Sequence, residues 1–225
     1  MINTKGEHMN KYLFLTVLIA IIASSTSTRA GLLGKRTFGI NIGQVTPGDD
    51  DVKEFDDSIL TYGANLRLPI DKHIDFIVNI GQAKISGNLP VYDPFYLRTY
   101  MVKVDGTSTS LGGGFTYQVR PSERVNPYVG LGLIWSKVKY ESAGHSEDDD
   151  DAGVLVGGGI ELNMNEQVSL DIGMTYQSEM FDEDDIIVGI GLNIWFTPEF
   201  RFTVAGEYGI DSENMGISGG IGIGF

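Results

Sequence analysis

The chain has 225 residues, with 16 Lys and Arg against 30 Asp and Glu, and it contains no Cys. This length suits one domain, and the lack of Cys excludes disulfides, thiolate zinc sites and cysteine nucleophiles. A net charge of -14 disfavours a nucleic-acid partner, because neutralising phosphates requires clustered Lys and Arg.

The first thirty residues have the organisation of an export signal. Lys5 and Lys11 form a sparse basic start, residues 12–23 are apolar, and residues 24–30 are small or polar. The apolar run is shorter than the roughly twenty residues that a membrane-spanning helix needs. We predict a cleaved signal peptide over residues 1–30 and a single domain over residues 31–225. A start at Met9 in place of Met1 would give the same export signal.

From about Thr37 onward the chain alternates with a period of two, which predicts strands. Over residues 168–177 one face is apolar and the other is small or polar, and residues 60–68 and 200–208 repeat the pattern. The second face carries too few charges for the exterior of a soluble domain. With the apolar faces turned to lipid, a closed sheet satisfies every backbone N–H and C=O group. The sequence therefore predicts an all-β fold, an antiparallel up-and-down transmembrane β-barrel.

The connections between these strands alternate in length, as such a barrel requires. Together they join about ten strands, with eight as the alternative, and residues 105–106 form either a hairpin turn or a bulge in one long strand. Short periplasmic turns are predicted at residues 69–73, 120–127, 164–167 and 197–199, and longer acidic extracellular loops at residues 46–57, 87–96, 142–151, 181–185 and 211–214.

The last strand ends in a terminal aromatic residue that follows apolar residues at alternate positions. Together with the signal segment, the alternation and the turn-loop asymmetry, this ending resembles small Gram-negative outer-membrane β-barrel proteins, the class that includes OmpA-, OmpX- and opacity-type barrels. In that class such an ending is the recognition signal for the barrel-assembly machinery; Phe225, Ile223, Ile221 and Ile217 match it, and Gly219 departs from it.

The resemblance implies a place in the Gram-negative outer membrane, with membrane lipid, lipopolysaccharide and the assembly machinery as partners. It specifies architecture rather than activity.

Four charged residues take the inward register within about four residues of the predicted periplasmic turns: Arg67, Glu161, Asp171 and Arg201. A charge isolated in a narrow lumen costs several kcal/mol, so such charges must be paired or hydrated. We hypothesise a cross-lumen ion-pair cluster that acts as a polar plug. The alternative is a set of separate, hydrated lumen charges.

Many glycines also take the inward register, which leaves the lumen short of side chains. Either they let large neighbours such as Tyr128 and Trp195 pack, or they line a water-filled slit for small solutes. The inward glycines are Gly39, Gly63, Gly112, Gly114, Gly130, Gly132, Gly157, Gly159, Gly189, Gly191, Gly220, Gly222 and Gly224.

Runs of acidic residues in the predicted loops suggest hard cations such as calcium. Asp148, Asp149, Asp150 and Asp151 are the weak candidates, but their spacing lacks the alternate ligands, central Gly and closing Glu of an EF-hand loop. We therefore expect no metal site, only solvated loops that at most bind divalent cations diffusely at lipid phosphates.

Only two histidines follow the signal segment, His73 in a predicted turn and His145 in an acidic loop. Neither has the partners of a nucleophile–base relay, so we assign no catalytic residues and no cofactor. The sequence favours a non-enzymatic outer-membrane anchor with acidic external loops. The alternative function is a narrow pore for small solutes, and an outer-membrane enzyme is the third.

Overall fold

The computed structural model describes residues 36–48, 59–93, 98–121, 123–142, 145–180 and 183–225. Neighbouring strands pair antiparallel in chain order, and the last strand pairs with the first to close the barrel. The prediction of about ten strands is confirmed, and the alternative of eight is wrong. The ten strands are β1 (Thr37–Thr46), β2 (Ile59–Pro69), β3 (Ile74–Asp93), β4 (Arg98–Gln118), β5 (Val125–Ser142), β6 (His145–Asn163), β7 (Val168–Met180), β8 (Glu183–Trp195), β9 (Phe200–Gly209) and β10 (Met215–Gly224).

Four short connections close one end of the barrel, at residues 70–73, 119–124, 164–167 and 196–199. The start of β1 and the end of β10 lie at this same end, which we call the turn end; the opposite end is the loop end. The short turns lie where the sequence predicts them, except that Pro69 belongs to β2 and residues 125–127 belong to β5. The predicted signal peptide lies outside the described residues.

Strands β3 to β6 are much longer than the others. They have 20, 21, 18 and 19 residues, against 10 in β1, β9 and β10. Every strand has one end at the turn end, so the additional residues of β3 to β6 extend beyond the loop end. They form a sheet on one side of the barrel, which we call the wall. Within β4, residues 105–106 pair continuously with β3, so the proposed hairpin turn at this point is wrong.

Three of the predicted loops are partly wrong, because strands extend into them. Residues 87–93 belong to β3, residues 145–151 to β6 and residues 183–185 to β8, so Asp148, Asp149, Asp150 and Asp151 lie on a strand. His145 likewise begins β6 and does not lie in a loop. In β6, Asp148, Asp149 and Asp150 are exposed, because a strand that rises above a membrane meets water on both faces while its backbone stays paired. In β8, by contrast, Asp185 is buried.

The exposure of apolar and polar side chains is the reverse of that in a soluble protein. Outward apolar side chains on all ten strands are exposed, whereas most inward polar side chains are buried. An apolar belt of this extent needs a hydrocarbon environment. Aromatic side chains border it at both ends: Tyr62, Trp135, Tyr176 and Tyr208 toward the loop end, and Phe38, Phe115, Tyr117, Phe196, Phe200 and Phe202 toward the turn end.

Among the described residues, no helix has the length and apolar character needed to cross a membrane.

The terminal aromatic residue offers a test of the predicted assembly signal. Phe225 is 65% exposed, so its side chain contributes little packing within the barrel. We expect Phe225→Ser to lower the amount of heat-modifiable barrel formed in cells while leaving the refolding yield in detergent unchanged. Met215→Ser is the matched control, because Met215 lies at the other end of β10 and is 62% exposed. Equal amounts of assembled barrel from the two variants would contradict the assembly role.

Candidate functional site

A chain of hydrogen bonds joins five adjacent strands at the turn end of the lumen. Arg67 of β2 donates from Nη2 to Oδ2 of Asp75 in β3 at 2.5 Å, and Gln118 of β4 donates from Nε2 to the same oxygen at 2.8 Å. Asn126 of β5 donates to Oε1 of Gln118 at 3.1 Å and to Oε2 of Glu161 in β6 at 3.3 Å. All five side chains are buried.

Asp171 of β7 continues the chain of buried polar groups. It lies opposite Glu161 in the β6–β7 register, and Tyr128 of β5 donates its hydroxyl to Asp171 Oδ1 at 2.8 Å. The tyrosine passes over Gly159 and Gly173, where an added Cβ would lie 2.4 Å and 2.6 Å from its hydroxyl oxygen. At these two positions only glycine leaves room for the side chain, which supports the packing interpretation over an open slit.

Arg201 of β9 completes the arrangement. Its guanidinium carbon lies 5.3 Å from the centre of the Trp195 ring, a cation–π geometry, and the side chain is 2% exposed. Together Arg67, Asp75, Gln118, Asn126, Tyr128, Glu161, Asp171, Trp195 and Arg201 form what we call the lumen cluster.

The cluster holds two guanidinium groups and three carboxylates in a buried space. Burying an ion without a partner costs several kcal/mol, so each charge needs a counter-charge or a hydrogen bond. Arg67 has Asp75, Glu161 has Asn126, Asp171 has Tyr128, and Arg201 lies over the Trp195 ring. The hydrogen bonds link strands β2 to β7 near the turn end, and the Arg201–Trp195 contact links β9 to β8.

The structure places all four charged residues named from the sequence in this cluster. The ion-pair partner of Arg67 is Asp75, which the sequence analysis did not name. Asp75 carries the same signal as the others, an inward register close to a turn. The pair forms between the adjacent strands β2 and β3 and not across the lumen.

A small cavity adjoins the lumen cluster. A cavity of about 20 Å³ lies between Tyr128, Asp171, Gly173 and Glu207. A space of this size holds about one water molecule. It is too small for a solute.

The remaining candidate residues lie apart from the lumen cluster. Asp148 pairs with Lys137 and Asp150 accepts a hydrogen bond from Trp135 Nε1 at 3.1 Å, while Asp149 and Asp151 point to the other face of β6 by strand alternation. These four carboxylates therefore do not converge. Among the described residues no group of three or more metal-binding side chains is present. The assembly residues Phe225, Ile223, Ile221 and Ile217 all face outward and are exposed.

His73 lies in the turn between β2 and β3, as predicted. Its Nδ1 lies 2.8 Å from the backbone oxygen of Gln118, and its ring stacks on Tyr117 with centroids 5.6 Å apart. In the same turn Asp71 accepts hydrogen bonds from the backbone N–H groups of His73 and Ile74 at 2.6 and 2.8 Å. These bonds lower the pKa of Asp71 below its ordinary value of 3.8.

Known proteins resemble this chain in sequence and in fold. A family model described as an outer membrane protein beta-barrel domain matches residues 14–194. The translocator domain of autotransporter NalP from Neisseria meningitidis is 13% identical, with 97% of each chain covered and a TM-score of 0.60, a likeness of fold alone. No curated protein matches the sequence.

Two smaller barrels are also similar in structure, with lower scores. Ail, the attachment invasion locus protein of Yersinia pestis, is 16% identical over 86% of this chain and 100% of that chain, with a TM-score of 0.44. OprG from Pseudomonas aeruginosa is 13% identical over 85% of this chain and 96% of that chain, with a TM-score of 0.46.

The Arg67–Asp75 pair can be tested by removing the arginine. Arg67→Ala leaves a buried carboxylate without its guanidinium, a change that typically costs about 3–5 kcal/mol. We expect a lower temperature for the heat-induced mobility shift on gels. Arg120→Ala is the matched control, because its pair with Glu123 at 3.3 Å is exposed. If the two variants shift at the same temperature, the pair does not stabilise the barrel.

Asp71 predicts a pH dependence of stability. Because folding lowers its pKa, the charged form stabilises the folded barrel above pH 3.8, and this contribution is lost as the pH falls through the folded-state pKa. The difference in free energy of unfolding between wild type and Asp71→Ala should therefore be largest near neutral pH and shrink in acid. Urea unfolding in detergent at several pH values measures it, and a difference that does not change with pH would refute the role of the charge.

Proposed function

This chain belongs to the outer membrane protein β-barrel family, and we propose that it acts there as a closed, non-enzymatic anchor for an acidic cell-surface wall. The protein lies in the outer membrane of Gram-negative cells. In the orientation that we propose, the turn end faces the periplasm and the loop end faces outside. The four long strands then rise on the extracellular side.

The observation that carries the proposal is the double closure of the lumen. At the turn end the lumen cluster fills the barrel with buried, hydrogen-bonded side chains. Toward the loop end a second layer consists of inward apolar side chains that are at most 2% exposed: Val45, Ile59, Ala83, Val138 and Ile187. A solute would have to displace both layers, and this supports an anchor over a pore.

The wall supports the surface role. Asp148 and Asp150 are exposed on the outward face of β6, and Glu141 on β5 adds a third carboxylate to the same surface. Exposed charges of one sign attract partners of opposite charge and repel like-charged surfaces. A stable barrel that holds such a wall at a fixed height above the membrane suits contact between the cell and its surroundings. The carboxylates of the wall would also bind divalent cations diffusely.

A narrow pore remains the second candidate, because inward glycines such as Gly112 and Gly132 lie between the two closing layers. Catalysis has less support. The bonds of His73 to a backbone carbonyl and its stacking on Tyr117 are typical of a structural histidine.

Membrane lipid and lipopolysaccharide are the partners that the apolar belt favours. The barrel-assembly machinery is a further partner, through the C-terminal residues Phe225, Ile223, Ile221 and Ile217, whose side chains are accessible.

Single-channel conductance of the refolded barrel in a planar bilayer tests the closed lumen. We expect no steady openings in the wild type or in Arg67→Ala, because the apolar layer still closes the loop end. Arg67→Ala combined with Ile59→Ala and Ile187→Ala removes side chains from both layers and should give stepwise openings. Steady openings in the wild type would support the pore instead.

A matched control keeps that result interpretable. Arg120→Ala combined with Ile40→Ala and Ile190→Ala removes the same atoms from an exposed turn and from the lipid-facing surface. It should stay silent, and openings in this control would assign conduction to general destabilisation rather than to the lumen.

A further inference from the structure

A buried carboxylate lies at the loop end of the barrel, away from the lumen cluster. Asp185 of β8 is 0% exposed. Its Oδ2 accepts a hydrogen bond from the hydroxyl of Ser212 at 2.8 Å, and its Oδ1 accepts one from the backbone N–H of Asp211 at 3.1 Å. Both partners belong to the turn that joins β9 and β10, residues 210–214. Asp185 therefore ties this turn to the neighbouring strand.

A second carboxylate belongs to the same turn. Because the backbone N–H of Asp211 contacts Asp185, the side chain of Asp211 can bring its carboxylate within a few ångströms of the first one. Among the described residues, no Lys or Arg forms an ion pair with either carboxylate. Two neighbouring carboxylates, one of them buried, repel each other unless a proton or a cation offsets their charge.

The side chain of Gln177 is a second, independent sign of a ligand at this point. Gln177 of β7 lies directly opposite Asp185 in the β7–β8 register, and both side chains take the inward direction. Facing side chains on adjacent strands have Cβ atoms about 4.5–5.5 Å apart. Gln177 is 0% exposed, yet neither its Oε1 nor its Nε2 has a hydrogen-bond partner among the described residues. A buried amide without partners is costly, so a group that this amide contacts belongs beside Asp185.

The donor set favours a calcium ion over a water molecule or an anion. Calcium takes about six to eight oxygen ligands from carboxylates, amides and water. Asp185 and Asp211 supply charged oxygens, Gln177 and Ser212 supply neutral ones, and water completes the shell. A water molecule would satisfy the amide but leave the repulsion between the carboxylates, and an anion would be repelled by both. With two carboxylates the site suits the affinity of extracellular calcium modules, about 10⁻⁴–10⁻³ M.

We propose that Asp185, Asp211, Gln177 and Ser212, which we call the mouth site, bind one calcium ion. The ion joins β7, β8 and the β9–β10 turn. Ile187, two residues after Asp185 on the same face of β8, belongs to the apolar layer that closes the lumen, so the ion fastens the turn next to that layer. The mouth site is separate from the exposed carboxylates of the wall, and it depends neither on the orientation of the barrel nor on whether the lumen conducts.

The test is titration of the refolded barrel in neutral detergent with calcium chloride. Isothermal titration calorimetry gives the affinity and the number of ions, and the temperature of the heat-induced mobility shift on gels reports stabilisation by the ion. We expect one ion per barrel and a higher shift temperature with calcium than without it. Asp185→Asn and Gln177→Met should each bind calcium at least about tenfold more weakly than wild type, a loss of roughly 1.4 kcal/mol.

Two comparisons separate binding from general destabilisation. Asp184→Asn is the matched control, because it removes an exposed carboxylate one residue away on the outward face of β8, and it should bind calcium like wild type. Gln177→Met replaces a buried amide without partners by an apolar side chain of similar length. Without calcium it should therefore shift at the same temperature as wild type or higher, while it gains less when calcium is added.

Equal affinities of Asp185→Asn and Asp184→Asn would overturn the proposal. Absence of binding up to about 10 mM calcium, tenfold above the weakest sites of this kind, would also overturn it. The same holds for many weakly bound ions without saturation, since binding would then be diffuse. If Asp185→Asn does not refold, as judged by its mobility on unheated gels, Gln177→Met decides alone, and an unchanged affinity in it counts against the mouth site.

Discussion

Closure of β10 on β1 is the constraint on which the rest of the molecule depends. Ten residue pairs, from Thr37 opposite Gly224 to Thr46 opposite Met215, join the two ends of the sheet. In hydrocarbon an open sheet edge would leave backbone N–H and C=O groups without partners, at several kcal/mol each. Once the sheet is closed, the strand alternation sends every second side chain to lipid and the others to a small interior.

The small interior then decides which side chains the lumen can hold. A barrel of ten tilted strands has little room at its centre, so a large inward side chain fits only where the neighbouring strands carry glycine. Tyr128 reaches Asp171 only because Gly159 and Gly173 lack a Cβ. Arg201 likewise lies where a Cβ on Gly222 would come within 3.1 Å of its guanidinium. The glycine-rich composition is therefore linked to the large polar groups of the lumen cluster.

Charges collect at the turn end for a related reason. Short turns fix neighbouring strands relative to each other, so Arg67 and Asp75 on two sides of one turn meet in a defined geometry. A buried ion pair stabilises only when its geometry is good and its remaining hydrogen-bonding groups are satisfied, and Gln118 supplies that second contact to Asp75.

Much of this fold could be predicted from the sequence, since the period of two is a local signal and lipid leaves only one topology for it. The inward register of Arg67, Glu161, Asp171 and Arg201 could be predicted for the same reason. The partner of Arg67 could not be chosen, because register between strands depends on turn geometry as well as on alternation. The loop-end parts of β3 and β6 could not be predicted either, since consecutive acidic residues are as typical of a solvated loop as of a strand with water on both faces.

The acidic stretch of β6 shows what signal marks a strand that leaves the membrane. Closer to the turn end, Val154 and Val156 face lipid, while Gly153, Leu155 and Gly157 take the inward register between and beside them. Asp148 to Asp151 break that alternation although the backbone remains paired with β5. Charged residues at consecutive positions place both faces in water, so the alternation stops where the hydrocarbon stops. On β5 the same boundary lies between Trp135, whose indole N–H bonds to Asp150, and Lys137, which pairs with Asp148.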